Sequence, residues 1–252
     1  QPWELALIYA WKHLNHGKII GVQHSTMLYW HMRNYHDPRT YYQTGKNALP
    51  MPDLVAVNGP EIMKNSILSG YPEDNLIEVE ALRYLYLQDL VSSEIRDYNR
   101  KIKPLRLLIV GDYLYANTDF QLRLLSNAIS LLPKRLKIIL KPHPNLDVNP
   151  SEYPKINMTV TKEPLLKILP NCDVVYASSV TSAAVDGYCA GKPVITSLNS
   201  NTLNLSPLRG HANTFFVSTP TQIVESFKII SRSNLTLKDK QEFFTLDKDL
   251  PR

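Results

Sequence analysis

The sequence predicts an α/β protein built of two doubly wound, Rossmann-like domains, the first of them incomplete. Three observations predict this. Short apolar runs alternate along the chain with segments of helical period, as in a parallel sheet wound with helices. The 252 residues, 44% hydrophobic and 20% charged, have the ordinary balance of a globular protein and the length for two domains of about 100–150 residues. Residues 83–104 change character, becoming rich in Tyr, Arg, Lys and Asp, and read as a linker carrying a short helix. The expected domains are therefore 1–82 and 105–252.

Each element follows from its residues. Leu5, Ile8, Tyr9 and Trp11 recur at helical spacing within 3–14, and Gly17 supplies the residue that ends the helix. Residues 18–22 read as a short buried strand. The connection 23–52 is long for one without structure, which predicts a function or short helices within it. Residues 53–57 form the next strand, Pro60 opens a helix that runs to Leu68, Gly70 lies near its end, and 76–79 is a third strand. In the second domain strands are expected at 105–110, 136–140, 156–160, 173–176, 193–196 and 215–217. Helices are expected at 120–132, 163–169, 181–190 and 219–230.

Composition narrows the function classes. No apolar run approaches the roughly 18 residues of a membrane-spanning helix. The chain begins at Gln1, without a signal peptide, in the middle of a helical pattern, and reads as a fragment of a larger multidomain chain. Cys172 and Cys189 lie in apolar stretches with no metal-binding spacing, as expected of buried reduced thiols in the cytoplasm. The net charge of +5 suits an anionic nucleotide, acidic glycans or peripheral association with a membrane surface. Its basic residues are scattered, and the absence of any nucleic-acid-binding motif argues against a nucleic-acid partner. No GxGxxG follows a strand, which argues against a dinucleotide dehydrogenase.

In an open parallel sheet ligands bind outside the carboxyl ends of the strands. Three polar segments stand there in the second domain: Gly111-Asp112-Tyr113, Lys141-Pro142-His143-Pro144 and Ser178-Ser179-Val180-Thr181-Ser182. The serine cluster joins a strand to a helix, where free backbone N–H groups, hydroxyls and the positive end of the helix dipole favour an anion. His143, fixed between two prolines, is suited to donating to a phosphate or protonating a leaving group, and Lys141 adds charge. The plainer alternative is that Ser179 or Thr181 only caps the helix and His143 is a polar loop residue. Taken together, Gly111, Lys141, His143, Pro144, Ser178, Ser179, Thr181 and Ser182 make a candidate nucleotide site. Asp186, on the following helix, is either a partner for a ribose hydroxyl or an exposed or capping carboxylate.

The first domain offers two further catalytic candidates beside His143. Glu4, shielded by Trp3, would serve as a base, although a glutamate in the first turn of a helix is also favoured by the dipole alone. His24 directly follows the strand 18–22. His24, His31 and His36 do not match any compact zinc spacing, so no metal is expected. Arg33 and Arg39 are suited to an anionic donor or acceptor. Tyr84, Tyr86, Tyr98, Tyr113 and Tyr115 would stack on a sugar or base, or simply pack.

Lys141-Pro142-His143-Pro144 followed by Asp173-Val174-Val175-Tyr176-Ala177-Ser178-Ser179 resembles the paired HP and SS motifs of bacterial sialyltransferases and Kdo transferases. Residues 184–195, ending in Gly191-Lys192-Pro193-Val194-Ile195, resemble a segment common across GT-B enzymes. Gln1-Pro2-Trp3-Glu4, Gly21-Val22-Gln23-His24-Ser25-Thr26 and residues 53–60 resemble uncharacterised surface-carbohydrate biosynthesis proteins. Residues 70–84 match the hand-over from the first GT-B domain to the second. The resemblance covers residues 105–230 best. It implies a metal-independent glycosyltransferase that needs no cofactor beyond its nucleotide-sugar donor. The implied donor is a CMP-activated acidic sugar, moved onto a growing surface glycan of lipopolysaccharide or capsule type, in the cytoplasm at the inner face of the membrane. Open alternatives are a UDP- or GDP-sugar transferase, a GT-B epimerase, and a non-catalytic nucleotide-sugar-binding scaffold.

Overall fold

A computed structural model of the chain describes residues 2–29, 31–32, 34–45, 48–91, 104–232 and 243–247. Arg33, Tyr98 and most of the expected linker lie outside the described residues. The chain divides into two compact units, residues 1–85 with 241–252, and residues 86–240.

In the first unit, helix α1 (Pro2–His13) leads to strand β1 (Ile20–Val22), strand β2 (Leu54–Val57), helix α2 (Pro60–Leu68) and strand β3 (Leu76–Glu78). The three strands pair in parallel in the order β1-β2-β3, with Val22 beside Ala56 and Val57 beside Glu78. The core is small. Val57, Ile62 and Leu76 are buried, with Met27, Val55, Met63 and Tyr71 packed on them. Helix α1 buries none of its residues. It is tied down by Lys12, which pairs with Asp53 at 2.9 Å, while the Asp53 carboxylate also accepts the Ile19 N–H.

The long connection between β1 and β2 contains a 3₁₀ turn, Pro38–Tyr42, opened by Asp37, whose side chain accepts the Arg39 N–H. Tyr41 packs edge-on against Tyr71. Gly70 turns the chain out of α2 at φ +85, and a β-carbon there would stand 2.8 Å from Pro38, so both backbone and packing call for glycine.

The expected second domain ran to residue 252, and here the structure differs. Residues 243–247 belong to the first unit. Thr245 donates its N–H to the Asn58 carbonyl and accepts the Ala81 N–H, so this segment ties together the chain that follows β2 and β3. Phe243 and Phe244 are buried, and Phe244 stacks on Tyr84. Gly59 permits the approach, because a β-carbon there would collide with the Phe243 backbone carbonyl. Burial of two adjacent phenylalanines supplies the physical reason for the return.

The second unit runs through α3 (Leu87–Val91), β4 (Arg106–Val110), α4 (Tyr115–Ala128), β5 (Lys137–Lys141), β6 (Met158–Val160), α5 (Leu165–Ile168), β7 (Val174–Ser178), α6 (Ala183–Cys189), β8 (Val194–Ser197), β9 (Thr214–Val217) and α7 (Pro220–Arg232). All six strands are parallel, in the order β6-β5-β4-β7-β8-β9. Counted within the unit this is 3-2-1-4-5-6, the order of the doubly wound nucleotide-binding sheet. Strands β4 and β7 are near-continuous apolar runs because helices cover both of their faces. Leu107, Ile109, Leu122, Leu125, Leu140, Tyr176 and Phe227 fill the core.

Two boundaries differ from expectation in ways that matter for the site. Strand β7 extends to Ser178, because Ala177 and Ser178 pair with Thr196 and Ser197. Helix α4 starts at Tyr115 rather than at residue 120, where the Thr118 hydroxyl accepts the Asp112 N–H at 2.9 Å and folds the turn back on itself.

Candidate functional site

The strand order places a switch point between β4 and β7, whose onward connections depart to α4 and α6. The carboxyl ends of β5, β4 and β7 are neighbours there, and the three segments singled out in the sequence follow them directly.

Gly111 joins the first two. Its N–H donates to the Lys141 carbonyl at 2.9 Å, and a β-carbon on it would lie 3.1 Å from Pro142 Cα and 3.2 Å from the His143 nitrogen. Backbone thus packs on backbone, bringing the turn after β4 against the turn after β5. Lys141 is the last residue of β5 and sits in register with Val110. His143 is half-buried, and Pro144 beside it is exposed. The Asn145 N–H donates to His143 Nδ1 at 3.2 Å, which leaves Nε2 as the protonated nitrogen of the neutral ring. Tyr113 meets the His143 ring edge-on at 6.5 Å and is itself 60% exposed.

Asp112 joins the other pair of turns. It is 1% exposed, and its carboxylate accepts the Leu114 N–H, the Asn117 amide and the Ser178 hydroxyl. This carboxylate bridges the switch point from β4 to β7. Sequence reading placed Asp112 within a strand-end segment but assigned it no role. An acidic residue two positions past a buried strand, with Asn117 and Thr118 five and six residues further on, was the available signal.

The network changes the reading of Ser178. Its hydroxyl proton is given to Asp112, so it is held in the wall of the crevice rather than offered to a ligand. Ser179 is buried, Thr181 half-buried and Ser182 exposed. Ser182 occupies the N-cap position of α6 without a side-chain capping bond. Helix α6 has seven residues and lies directly on β7, where a β-carbon at Gly187 would approach Val175 to 2.8 Å. Asp186, expected at a ribose hydroxyl or exposed, is 7% exposed within this contact layer.

The other two catalytic candidates stand in the first unit. Glu4 is exposed in the first turn of α1, and Trp3 beside it is 64% exposed, so the shielding expected of that tryptophan is not realised. His24 is exposed and follows β1 after Gln23, whose N–H continues the ladder to the Ala56 carbonyl. Among the described residues no group of three or more His, Cys, Asp and Glu is arranged to hold a metal ion. Nor is any described helix long and apolar enough to cross a membrane. A groove of about 560 Å³ opens elsewhere, over β5, β6 and α5, lined by Arg106, Lys137, Thr159, Glu163 and Lys167. None of the predicted site residues lines it.

Both units are parallel-sheet Rossmann-like domains of the kind found in the GT-B fold, and a solved structure with a TM-score above 0.5 bears this out. The chain is similar to a Listeria monocytogenes protein assigned as UDP-N-acetylglucosamine 2-epimerase, with a TM-score of 0.54 and 10% identity over 90% of this chain and 62% of that one. It is also similar to Anabaena HepE solved with UDP and glucose (TM-score 0.43, 12% identity, 87% of this chain and 62% of that one). A third is the glycotransferase of kitacinnamycin (TM-score 0.49, 15% identity, 74% of this chain and 49% of that one). The chain therefore spans between about half and two thirds of the length of these proteins. No protein-family model and no curated protein sequence matches it.

Proposed function

We propose that the second unit binds the nucleotide of an activated sugar, and that the protein acts as a GT-B-type glycosyltransferase or epimerase. The observation that carries this is the junction of three strand ends at one switch point. Lys141, His143 and Ser179 stand at those strand ends, the position where a parallel sheet receives an anionic ligand. Lys141 and His143 supply donors for phosphate oxygens, and Tyr113 gives an exposed aromatic face for a base or sugar ring. Ser179, Thr181 and Ser182 are the hydroxyls left for the ligand once Ser178 is committed to Asp112.

The donor is read as UDP-linked. The likeness to the Listeria epimerase supports that choice over the CMP-linked sugar implied by the HP and SS resemblance. The CMP reading keeps one observation in its favour, the order of Pro142-His143-Pro144 and Ser178-Ser179 along the chain. A glycan acceptor, and action in the cytoplasm at a membrane face, complete the proposal. In this reading His143 assists departure of the nucleotide by donating to its phosphate, since its Nδ1 is occupied as an acceptor.

The test is to incubate the protein with UDP-N-acetylglucosamine, and separately with a CMP-activated sugar, and follow nucleotide release and sugar epimerisation by NMR. Release or epimerisation from the UDP-sugar supports the UDP reading. Turnover of the CMP-sugar alone reverses the donor assignment, and turnover of neither removes the catalytic claim.

A further inference from the structure

Asp112 places a buried carboxylate beneath the strand ends where the nucleotide reading puts phosphate. Its carboxylate stands two residues past the end of β4, at the switch point, 1% exposed. Burial of an ionised carboxylate is costly unless hydrogen bonds compensate it, and here they do. The Leu114 N–H approaches Oδ1 at 2.9 Å, while the Asn117 amide, at 3.1 Å, and the Ser178 hydroxyl approach Oδ2. Among the described residues no lysine or arginine is paired with it, so the bonds stabilise the charge without cancelling it.

A fixed anion at this position acts differently on the two ends of a transfer reaction. In a nucleotide sugar the phosphate oxygen carries the glycosyl group. When the glycosyl–oxygen bond breaks, the electron pair stays on that oxygen, and the nucleotide leaves with one more negative charge than it had in the donor. Repulsion by a neighbouring carboxylate, in a medium less screening than water, therefore weighs on the product more than on the donor. We infer that Asp112 is a specificity-determining residue of the nucleotide site, a built-in anion that disfavours the spent nucleotide relative to the nucleotide sugar and so promotes product release. Ser178 tunes that charge by donating its hydroxyl to it.

The inference rests on the nucleotide reading and is decided on the UDP pair: the phosphate gains one charge on leaving either donor, but an acidic CMP-linked sugar carries a carboxylate of its own, so that donor and CMP have equal net charge. Calorimetric titration of the wild-type protein with UDP and UDP-N-acetylglucosamine, and with CMP and CMP-N-acetylneuraminate, gives the product-to-donor preference of the site. Asp112→Asn, which keeps the side-chain shape and removes the charge, is expected to shift that preference toward the product by about threefold or more. Ser178→Ala leaves the carboxylate with one donor fewer and is expected to shift it the other way. Free UDP that gains no more than UDP-N-acetylglucosamine in Asp112→Asn overturns the inference and leaves the nucleotide reading intact. Should Asp112→Asn fail to fold, an unchanged or product-favouring preference in Ser178→Ala overturns it equally. A wild-type protein that binds no member of either pair overturns the nucleotide reading and this inference with it.

Discussion

The backbone N–H of Asn145 points at Nδ1 of His143 across 3.2 Å, and this one contact decides what His143 can do. A nitrogen that accepts a backbone N–H carries no proton, so the neutral ring presents Nε2–H and acts as a donor. His143→Ala should weaken nucleotide binding about tenfold, the cost of a hydrogen bond to a charged phosphate. His143→Gln, which keeps an N–H donor, should lose less. Calorimetric titration of the two variants checks the order, and equal losses would mean that the ring, not its donor, matters.

Gly111 is the joint between the β4 and β5 turns. Gly111→Ala puts a methyl 3.1 Å from Pro142 Cα, against backbone that has little room to yield. A loss of about 1–3 kcal/mol is expected in denaturant unfolding. The same substitution should reduce nucleotide affinity, because it pushes the His143 turn away from Tyr113. Gly187→Ala, which meets the Val175 side chain, is the comparison: it should cost stability while affecting affinity less.

Phe244 holds the returning segment on the first unit, its ring 3.8 Å from that of Tyr84 and nearly parallel to it. The Tyr84 hydroxyl in turn accepts the Thr26 N–H at 2.9 Å. Phe244→Ala should destabilise the first unit by about 3–5 kcal/mol, as expected for a buried phenylalanine. Amide hydrogen exchange should then quicken at Thr26 and Ala81 while β4 and β7 keep their protection. Uniform acceleration across both units would contradict this placement of the segment.

His36 gives the first unit a pH dependence. Burial holds its imidazole below the ordinary value of 6.5. The unfolded chain binds a proton there more readily than the folded one. The contribution is therefore fully present above about pH 6.5 and is lost as the pH falls through the folded value. Unfolding midpoints measured from pH 7.5 down to 5 should decline, and His36→Gln should flatten that decline. An NMR titration placing the His36 midpoint at or above 6.5 would refute the assignment.

Much of the second unit was legible in the residues themselves. Leu107–Val110 and Val174–Ala177 are runs that only a doubly covered sheet accommodates, and each ends in a polar turn. The positions of Gly111, Lys141, His143 and Ser179 at the strand ends followed from that pattern. What side chains do to one another did not follow. Nothing in a linear spacing says that Ser178 gives its proton to Asp112, or that Asp186 is buried, because both depend on how β4, β7 and α6 stack. The return of Phe243 and Phe244 was equally hidden, since its partners Asn58, Ala81 and Tyr84 lie far away in the chain. Glu4 was read as shielded by its neighbour Trp3, but adjacent helical residues point to different sides and do not shield each other.

The central claim is that the second unit holds a nucleotide, and a thermal-shift panel of UDP, CMP, GDP and NAD on wild-type protein and His143→Ala tests it most directly. A ligand present at 100 times its dissociation constant adds about 2.7 kcal/mol to stability, enough to raise the midpoint visibly. The account predicts that UDP raises the wild-type midpoint most, that NAD leaves it unchanged, and that His143→Ala removes most of the UDP shift. A shift by NAD, or by none of the four, would contradict it.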